Sequence, residues 1–433
     1  MYRNLKITTL LLCLLSTLPA SLSAQNKPSY AEQVNTLIGT QGVGLVSGYL
    51  YPGATSPFGM VQFTPTYFAK RGGFVINQLS GGGCSHMGNF PTLPVRGKMD
   101  SSPENILNYR VDISNEQGHA GYYKACVQGA IQAQLSVTTR TGMAHYTYPQ
   151  EDEFGTVIIG GGVAATAIEQ AAVIITGSNS CEGYAEGGNF CGIRTPYKVY
   201  FVAQFDTDAV ESGVWKNDKL YPRGRFVEGG ESGVYFTFDL RKGADIRYKI
   251  GVSYVSVENA RQNLEAENTG WDFESIRQQT EAKWNDYLGR IEVEGANADR
   301  KTQFYTHLYR ALIHPNLCSD VNGEYMGADF QVHDSRTGHY TSFSNWDTYR
   351  TQIQLLSILA PDIASEVVLS HQRFAEESGD VFPRWVLANI ETGVMQGDPS
   401  PILIANAWAF GARDYDPIPL FALMRNNAEK PGA

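Results

Sequence analysis

The segment that decides the fold alternates apolar and polar side chains, and it reads Ile131-Gln132-Ala133-Gln134-Leu135-Ser136-Val137-Thr138. Successive residues of a strand point to opposite faces of a sheet, so a period of two predicts a strand with one buried face and one wet face. Similar strand-like patterns recur at 199–205, 234–240 and 246–257. Turns that carry glycine and proline separate these runs between residues 30 and 260, which predicts an antiparallel β-sandwich.

After Ala260 the apolar period becomes that of a helix. One predicted helical face consists of Phe273, Ile276, Thr280, Trp284, Tyr287 and Leu288, with Asp272 as the capping residue. Further helices are predicted around 304–312 before Pro315, 347–359 before Pro361, 362–374 before Gly379, and 401–410 before Gly411. The second half of the chain is therefore predicted to be a succession of helices.

Composition narrows the class of function. The 433 residues are enough for two or three domains, and 42% apolar with 18% charged residues excludes a disordered or fibrous chain. The 34 basic and 44 acidic residues give a net charge of −10, and no long basic run occurs. These charges argue against nucleic acid and anionic membrane as partners.

The N-terminus has the layout of a secretory signal. Arg3 and Lys6 precede an apolar run from Leu10 to Leu15, and small residues follow at 21–24. The run is too short to span a bilayer as a helix. We therefore predict a signal peptide at residues 1–24, no transmembrane segment, and export to the periplasm or beyond.

Five cysteines follow that segment: Cys84, Cys126, Cys181, Cys191 and Cys318. Export permits disulfides, and Cys181 with Cys191 is the candidate pair nearest in sequence. An odd number leaves at least one free thiol, and the lack of a CxxC spacing argues against a structural zinc site. His333, Asp334 and His339 match no common metal motif; we interpret them as loop residues, with metal binding as the alternative.

Common nucleotide and hydrolase motifs are absent from the sequence. The glycines at 160–162 follow a strand-like run, but the next strand-like run, at 173–175, comes too soon for a dinucleotide-binding crossover. These glycines are therefore predicted to form a turn between antiparallel strands. No phosphate loop and no G-x-S-x-G turn occurs.

Two glycine-bearing segments break the strand pattern. Residues 51–62 form a Pro/Gly turn that leads into a strand, and residues 78–84 contain three consecutive glycines, Gly81, Gly82 and Gly83. Such glycines either let a ligand approach the backbone or simply form a difficult turn. Both interpretations stay open from the sequence.

The segment Ser344-Asn345-Trp346-Asp347-Thr348-Tyr349-Arg350 stands at a predicted helix start. Trp346 offers a flat apolar face to a sugar ring, and the Asp347 carboxylate can accept hydroxyl hydrogen bonds. The alternative is that Asp347 caps the helix and Trp346 packs in the core, and both interpretations can hold together. Residues 391–400 precede another helix, with Asp398 as a possible cap; converging helix starts would collect the residues of a pocket.

Several of these segments together resemble glycoside hydrolase family 92. The matching segments are Val34–Thr40, Pro52–Met60, Leu79–Cys84, Phe304–Arg310, Trp346–Arg350 and Met395–Asp398. They occur in the family's order and extend over most of the chain, from about residue 34 to 411.

The resemblance implies an exported, exo-acting α-mannosidase that depends on calcium and inverts the configuration. Its substrates would be mannose-containing N-glycans or mannans. It also implies an antiparallel β-sandwich (25–262), a helical linker (263–300) and the first helices of an (α/α)6 barrel (301–433). By this resemblance Trp346 and Asp347 should hold the terminal sugar, Gly82, Gly83 and Cys84 should approach it, and Gln396 and Asp398 should belong to the same pocket.

No segment resembles the parts of the family that supply the catalytic acid and base or most of the calcium site. We therefore assign no catalytic residue, leave the metal ligands unknown, and expect the rest of the barrel to lie beyond Ala433. For this polypeptide the expectation is negligible hydrolysis. The alternatives are a carbohydrate-binding protein without catalysis and an inert fragment of a mannosidase gene.

Overall fold

The structure is a computed structural model that describes residues 29–41, 48–65, 73–103 and 112–429. The predicted signal peptide lies outside these residues. Within them, no helix combines the length and the apolar character needed to cross a membrane.

Antiparallel strands make up the first part of the described chain. Their bounds are β1 Ala54–Thr55, β2 Gln62–Pro65, β3 Phe74–Val75, β4 Thr92–Arg96, β5 Ile113–His119, β6 Tyr122–Val127, β7 Ile131–Val137, β8 Thr141–Thr147, β9 Phe154–Gly160, β10 Ile168–Ile175, β11 Ser180–Phe190, β12 Ile193–Phe205, β13 Glu211–Lys216, β14 Lys219–Pro222, β15 Phe226–Glu228, β16 Ser232–Asp239 and β17 Asp245–Ser253. In the described residues they form an eight-stranded sheet, β1-β2-β3-β4-β9-β16-β13-β14, and a nine-stranded sheet, β15-β10-β11-β12-β17-β8-β7-β6-β5.

The period of two in β7 is confirmed. Ile131, Ala133, Leu135 and Val137 are fully buried in the sandwich core. Ser136 is buried as well, because its hydroxyl donates to the carbonyl of Gly121 at 2.9 Å. Gly160 is the last residue of β9, which pairs antiparallel with β4 and β16, and Gly161 and Gly162 follow it. Because β9 and β10 belong to different sheets, these glycines begin a connection between the two sheets and not a turn between paired strands. The next strand, β10, begins at Ile168, earlier than the predicted run.

Helices and short hairpins make up the second part. The bounds are α1 Val257–Glu267, α2 Phe273–Leu288, α3 Ala298–Ala311, β18 Asn316–Leu317, β19 Glu324–Met326, β20 Val332–Asp334, β21 Tyr340–Thr341, α4 Asn345–Thr348, α5 Gln352–Leu359, α6 Pro361–Glu377, β22 Val386–Leu387, β23 Ile390–Glu391, α7 Pro399–Phe410 and α8 Pro417–Glu429. The predicted cap of α2 is confirmed, since the Asp272 side chain accepts from the Ser275 N–H. The fold class is therefore confirmed: an antiparallel sandwich followed by a helical domain.

The structure differs from the sequence prediction at three places. The strand-like run at 246–257 ends at Ser253, and α1 begins at Val257 because Ser256 caps it. The helix predicted over 347–359 is two helices, since Thr351 has a φ of 64° and interrupts it. Helix α8 was not predicted.

The predicted Cys181–Cys191 pair is wrong, because Cys84 and Cys191 form the disulfide. Cys181 lies near the start of β11 and Cys191 just beyond its end. Ten residues of extended chain separate them by roughly 33 Å, which no disulfide can span. Among the described cysteines, Cys126, Cys181 and Cys318 are free, and Cys181 and Cys318 are buried.

The sandwich and the helical domain are joined by side chains that donate to backbone carbonyls. Trp284 Nε1 on α2 donates to Thr55 O at 2.7 Å, and Asn316 Nδ2 donates to Gly59 O at 2.8 Å. Arg310 on α3 donates to Tyr51 O at 3.0 Å. These bonds fix the Pro/Gly turn at 51–62 against the helices, so that segment has a structural role at the junction.

Candidate carbohydrate-binding site

The start of α4 presents Trp346 and Asp347 to solvent. Trp346 is 37% exposed, so the core alternative for this residue is wrong. Asp347 is exposed too, and its carboxylate accepts a short hydrogen bond from the Ser344 hydroxyl. Ser344 occupies the N-cap position, so Asp347 is not the capping residue. An exposed indole beside an exposed carboxylate offers the two contacts that a sugar requires.

The Arg350 side chain packs against Trp346. Its guanidinium carbon lies 4.5 Å from the centre of the Trp346 ring and 4.2 Å from that of Tyr349. The same guanidinium donates to the backbone carbonyl of Trp346. A cation held against an indole limits the orientations of the ring, which reduces the entropy lost when a ligand stacks on it.

The starts of α4 and α7 converge, as predicted. Asn345 is fully buried, and its Nδ2 donates to Pro383 O at 3.1 Å and to Ser400 Oγ at 2.9 Å. Its Oδ1 lies 3.0 Å from His371 Nε2. Burial lowers the pKa of His371 to about 4, so this ring is neutral near pH 7.

The glycine segment at 78–84 is held by two histidines, the buried His86 and the half-buried His314. The Ser80 N–H donates to His314 Nε2 at 2.9 Å, and the Leu79 N–H donates to His86 Nε2 at 3.0 Å. Burial lowers the pKa of each ring to about 4, which keeps Nε2 available as an acceptor.

The turn needs a glycine at some of the three positions and not at others. Gly81 has a φ of 82°, and a Cβ on Gly82 would lie 2.9 Å from His86 Cε1, so the turn itself explains both. A Cβ on Gly83 would meet the Tyr49 ring at 3.6 Å, an ordinary contact. Of the three, Gly83 is the one that the turn does not require.

A chain of contacts links the glycine segment to Trp346 and Asp347. The Cys84–Cys191 disulfide ties the segment to the β11–β12 hairpin, where the Phe190 ring lies 4.6 Å from that of Trp385. Trp385 forms an isolated antiparallel bridge with Ser344. Gly82, Gly83 and Cys84 therefore belong to the same junction as the α4 start, although intermediate residues separate them.

His314 and Trp385 were missed by the sequence analysis. His314 lines a small cavity together with Ser344, Asn345 and Thr348, next to the glycine segment. The signals that could have indicated them are the rigid dipeptide His314-Pro315 and the segment Pro383-Arg384-Trp385. Neither has a helical or strand period that would single it out.

The two remaining predicted residues, Asp398 and Gln396, have different surroundings. Asp398 stands at the N-cap position of α7, but no side-chain capping bond forms there; its Oδ2 accepts from Asn427 Nδ2 on α8 at 2.6 Å. Burial raises the pKa of Asp398. Gln396 is exposed in the loop before α7. The described contacts thus direct Asp398 toward α8 rather than toward Trp346.

Glu391 is occupied by backbone donors. Its carboxylate accepts from the N–H groups of Arg384 at 2.6 Å, Trp385 at 3.2 Å and Gly393 at 2.8 Å. Three backbone donors on one carboxylate hold the turn between Arg384 and Gly393 together. This agrees with leaving Glu391 out of the catalytic assignment.

The calcium implied by the resemblance does not fit the side chains described here. Within residues 29–41, 48–65, 73–103 and 112–429, the only group of three metal-ligating side chains is Asp329, His333 and Glu377. Calcium prefers six to eight oxygen ligands, whereas this group offers one nitrogen and two carboxylates. It contains none of the predicted sugar-binding residues, and we derive no step through calcium.

Comparisons with known proteins agree with this architecture. Residues 33–253 match the model of the glycosyl hydrolase family 92 N-terminal domain, and residues 259–433 match that of the family's catalytic domain. The chain belongs to glycosyl hydrolase family 92. The candidate site of this family 92 chain lies where the two matched regions meet in space, because the glycine segment belongs to the first and Trp346 to the second.

Solved structures of the family have the same fold. A family 92 α-mannosidase from Bacteroides thetaiotaomicron is 24% identical, with a TM-score of 0.84 over 94% of this chain and 57% of that one. An inverting family 92 mannosidase from the same organism is 25% identical, with a TM-score of 0.83 over 93% and 56%. The former has also been solved with mannoimidazole.

One curated relative is named a glycosidase. An uncharacterized secreted glycosidase of Arthroderma benhamiae is 25% identical over 383 residues, covering 78% of this chain and 47% of that protein. The family 92 chain thus spans about half the length of the relatives that it matches.

Proposed function

We propose that this family 92 chain is part of a glycoside hydrolase of the α-mannosidase type and holds the terminal α-linked mannose at Trp346 and Asp347. The proposal rests on one observation: the exposed Trp346 indole, held by Arg350, lies beside the exposed Asp347 carboxylate at the junction of the sandwich and the helices. Two neighbouring structures are named mannosidases, and one of them holds a mannose-like ligand. Its natural substrates would be N-glycan or mannan ends.

The chemistry proposed for the enzyme is inversion by an acid and a base. Inverting enzymes separate these two carboxyl groups by about 6.5–9.5 Å, so that a water fits between base and sugar. Here Glu391 is bonded to three N–H groups and Asp347 to the Ser344 hydroxyl. We therefore propose that the 433-residue polypeptide binds mannose without appreciable hydrolysis, and that calcium-dependent inversion requires residues other than these.

Export is part of the proposal. The charged, apolar and small-residue layout of residues 1–24 supports a signal peptide. One relative is named a secreted glycosidase, which agrees with export.

A paired assay tests the proposal. The chain from residue 25 is titrated with methyl α-mannoside by calorimetry, and mannose release from an α-linked mannobiose is measured with and without calcium. Because hydrogen bonds to a carboxylate contribute about 1.5–3 kcal/mol, Asp347→Ala should weaken binding by about tenfold or more. The control is Asp218→Ala, which alters an exposed residue of the sandwich.

Two results would contradict the proposal. If Asp347→Ala bound methyl α-mannoside with unchanged affinity, Asp347 would not be a sugar-binding residue. Calcium-dependent release of mannose by the chain as it stands would show that the acid and base lie within it.

A further inference from the structure

A cluster of ligating side chains lies where the β19–β20 hairpin meets the end of α6. The candidate ligand atoms of Asp329, His333 and Glu377 all lie within 4.8 Å of one another. His333 Nε2 is 3.0 Å from Asp329 Oδ1 and 3.1 Å from Oδ2. Asp329 lies in the hairpin loop, His333 on β20 and Glu377 in the last turn of α6, so the cluster joins two elements that are distant in sequence.

Each ligand is held by a neighbour. The Tyr325 hydroxyl donates to Glu377 Oε1 at 2.6 Å, and the Ala328 N–H donates to Oε2 at 2.9 Å. The Tyr325 ring stacks on that of His333 with centres 5.6 Å apart. Outer partners of this kind orient the ligands of protein metal sites.

The backbone leaves room for the cluster at Gly327. A Cβ at this position would lie 2.6 Å from Asp329 Oδ1 and 2.9 Å from His333 Nε2. Any other residue would push the carboxylate and the imidazole out of their present positions. Gly327 thus permits Asp329 and His333 to pack against the turn. The Gly327 carbonyl accepts from Asn389 Nδ2 at 3.0 Å.

We propose that Asp329, His333 and Glu377 bind a divalent transition-metal ion, Zn²⁺, with water completing the coordination. One imidazole nitrogen with carboxylate oxygens suits zinc better than calcium, which selects oxygen alone. Zinc bonds of about 2.0–2.2 Å place neighbouring ligand atoms about 3.3 Å apart, close to the present spacing of His333 and Asp329. Binding requires His333 to present Nε2 without its proton.

The bound ion would clamp the hairpin loop to the end of α6. That loop carries Ala328 and Phe330, which line a cavity of about 240 Å³ together with Glu391. The ion is therefore a structural element beside the junction. The proposal is independent of mannose binding.

The test uses the full chain, expressed without a polyhistidine tag and stripped with a chelator. Calorimetric titration with Zn²⁺ alone should give one ion per chain, and Zn²⁺ should raise the melting temperature by mass action. His333→Gln should lower the zinc affinity by about 100-fold, and Gly327→Ala should lower it without removing a ligand. His307→Ala, at an exposed histidine on α3, is the matched control and should bind like the original chain.

Three outcomes would overturn the proposal. These are the lack of stoichiometric Zn²⁺ binding by the folded chain, equal zinc affinity in His333→Gln and His307→Ala, and tighter binding of Ca²⁺ than of Zn²⁺. Circular dichroism of each apo variant establishes that it is folded. If His333→Gln does not fold, Asp329→Asn at a partly exposed side chain takes its place.

Discussion

At the scale of single residues, Trp346 and Asp347 could be proposed as sugar-binding residues from the sequence because their chemistry is local: an indole and a carboxylate adjacent in sequence. The role of Glu391 could not be predicted in the same way. Its three N–H partners come from the turn between Arg384 and Gly393, whose shape depends on how β22 and β23 pair. Residues that act through a folded turn leave little trace in a sequence pattern.

Glu391→Ala should destabilise the chain. It leaves backbone N–H groups of the turn without their acceptor, which costs about 1–3 kcal/mol each when they are buried. Urea unfolding of this variant is compared with that of Glu294→Ala, at an exposed glutamate between α2 and α3. The control should change by less than about 0.5 kcal/mol. Equal unfolding free energies for the two variants would show that the turn does not need this carboxylate.

At the scale of elements, the strand periods and the capped start of α2 were predictable, and the links between elements were not. The Cys84–Cys191 disulfide joins a turn of the first sheet to the tip of a hairpin in the second, 107 residues later. Proximity in sequence suggested Cys181 instead, because a sequence does not reveal that β11 extends for 11 residues between the two cysteines. The break at Thr351 was likewise missed, since its apolar neighbours keep a helical period across it.

Removing the disulfide should destabilise the chain and loosen the glycine segment. Closing a loop of this length contributes roughly 4–5 kcal/mol in the chain-entropy account. Cys84→Ser with Cys191→Ser should therefore lower the unfolding midpoint markedly and weaken mannoside binding. Cys126→Ser, at a free and partly buried cysteine, is the control. An unchanged mannoside affinity in the double variant would show that the sugar site does not depend on the disulfide.

At the scale of the whole molecule, the division into a sandwich and helices was predictable from the change of period near residue 260. The orientation of the two parts was not, because it depends on side-chain to carbonyl bonds such as Trp284 to Thr55 and Arg310 to Tyr51. Buried histidines at the junction were also unpredictable, since their role follows from burial alone.

The stability of the chain should fall as pH decreases from about 6.5 to 4. Burial lowers the pKa values of His86, His314 and His371 to about 4 in the folded state, against 6.5 for an exposed ring. Between these values the unfolded chain binds more protons, so acid favours unfolding, by at most about 3 kcal/mol per histidine. The raised pKa values of Asp320 and Asp398 act in the opposite direction. Melting temperatures across this range test the expectation, and a flat profile would contradict it.

Helices α5, α7 and α8 leave large apolar side chains on the surface. Ile358 is 61% exposed, Ile418 74% and Phe421 69%. Exposed apolar side chains on neighbouring helices favour association or aggregation. Every binding measurement on this chain therefore needs the oligomeric state recorded at the same concentration.

The most direct test of the account compares two tryptophans of equal exposure. Trp346 is 37% exposed at the start of α4, and Trp408 is 38% exposed on α7. Calorimetric titration with methyl α-mannoside should show Trp346→Ala weakened by at least about fivefold, or ~1 kcal/mol, while Trp408→Ala binds like the original chain. Equal mannoside affinity in the two variants would contradict the claim that the terminal sugar stacks at the start of α4.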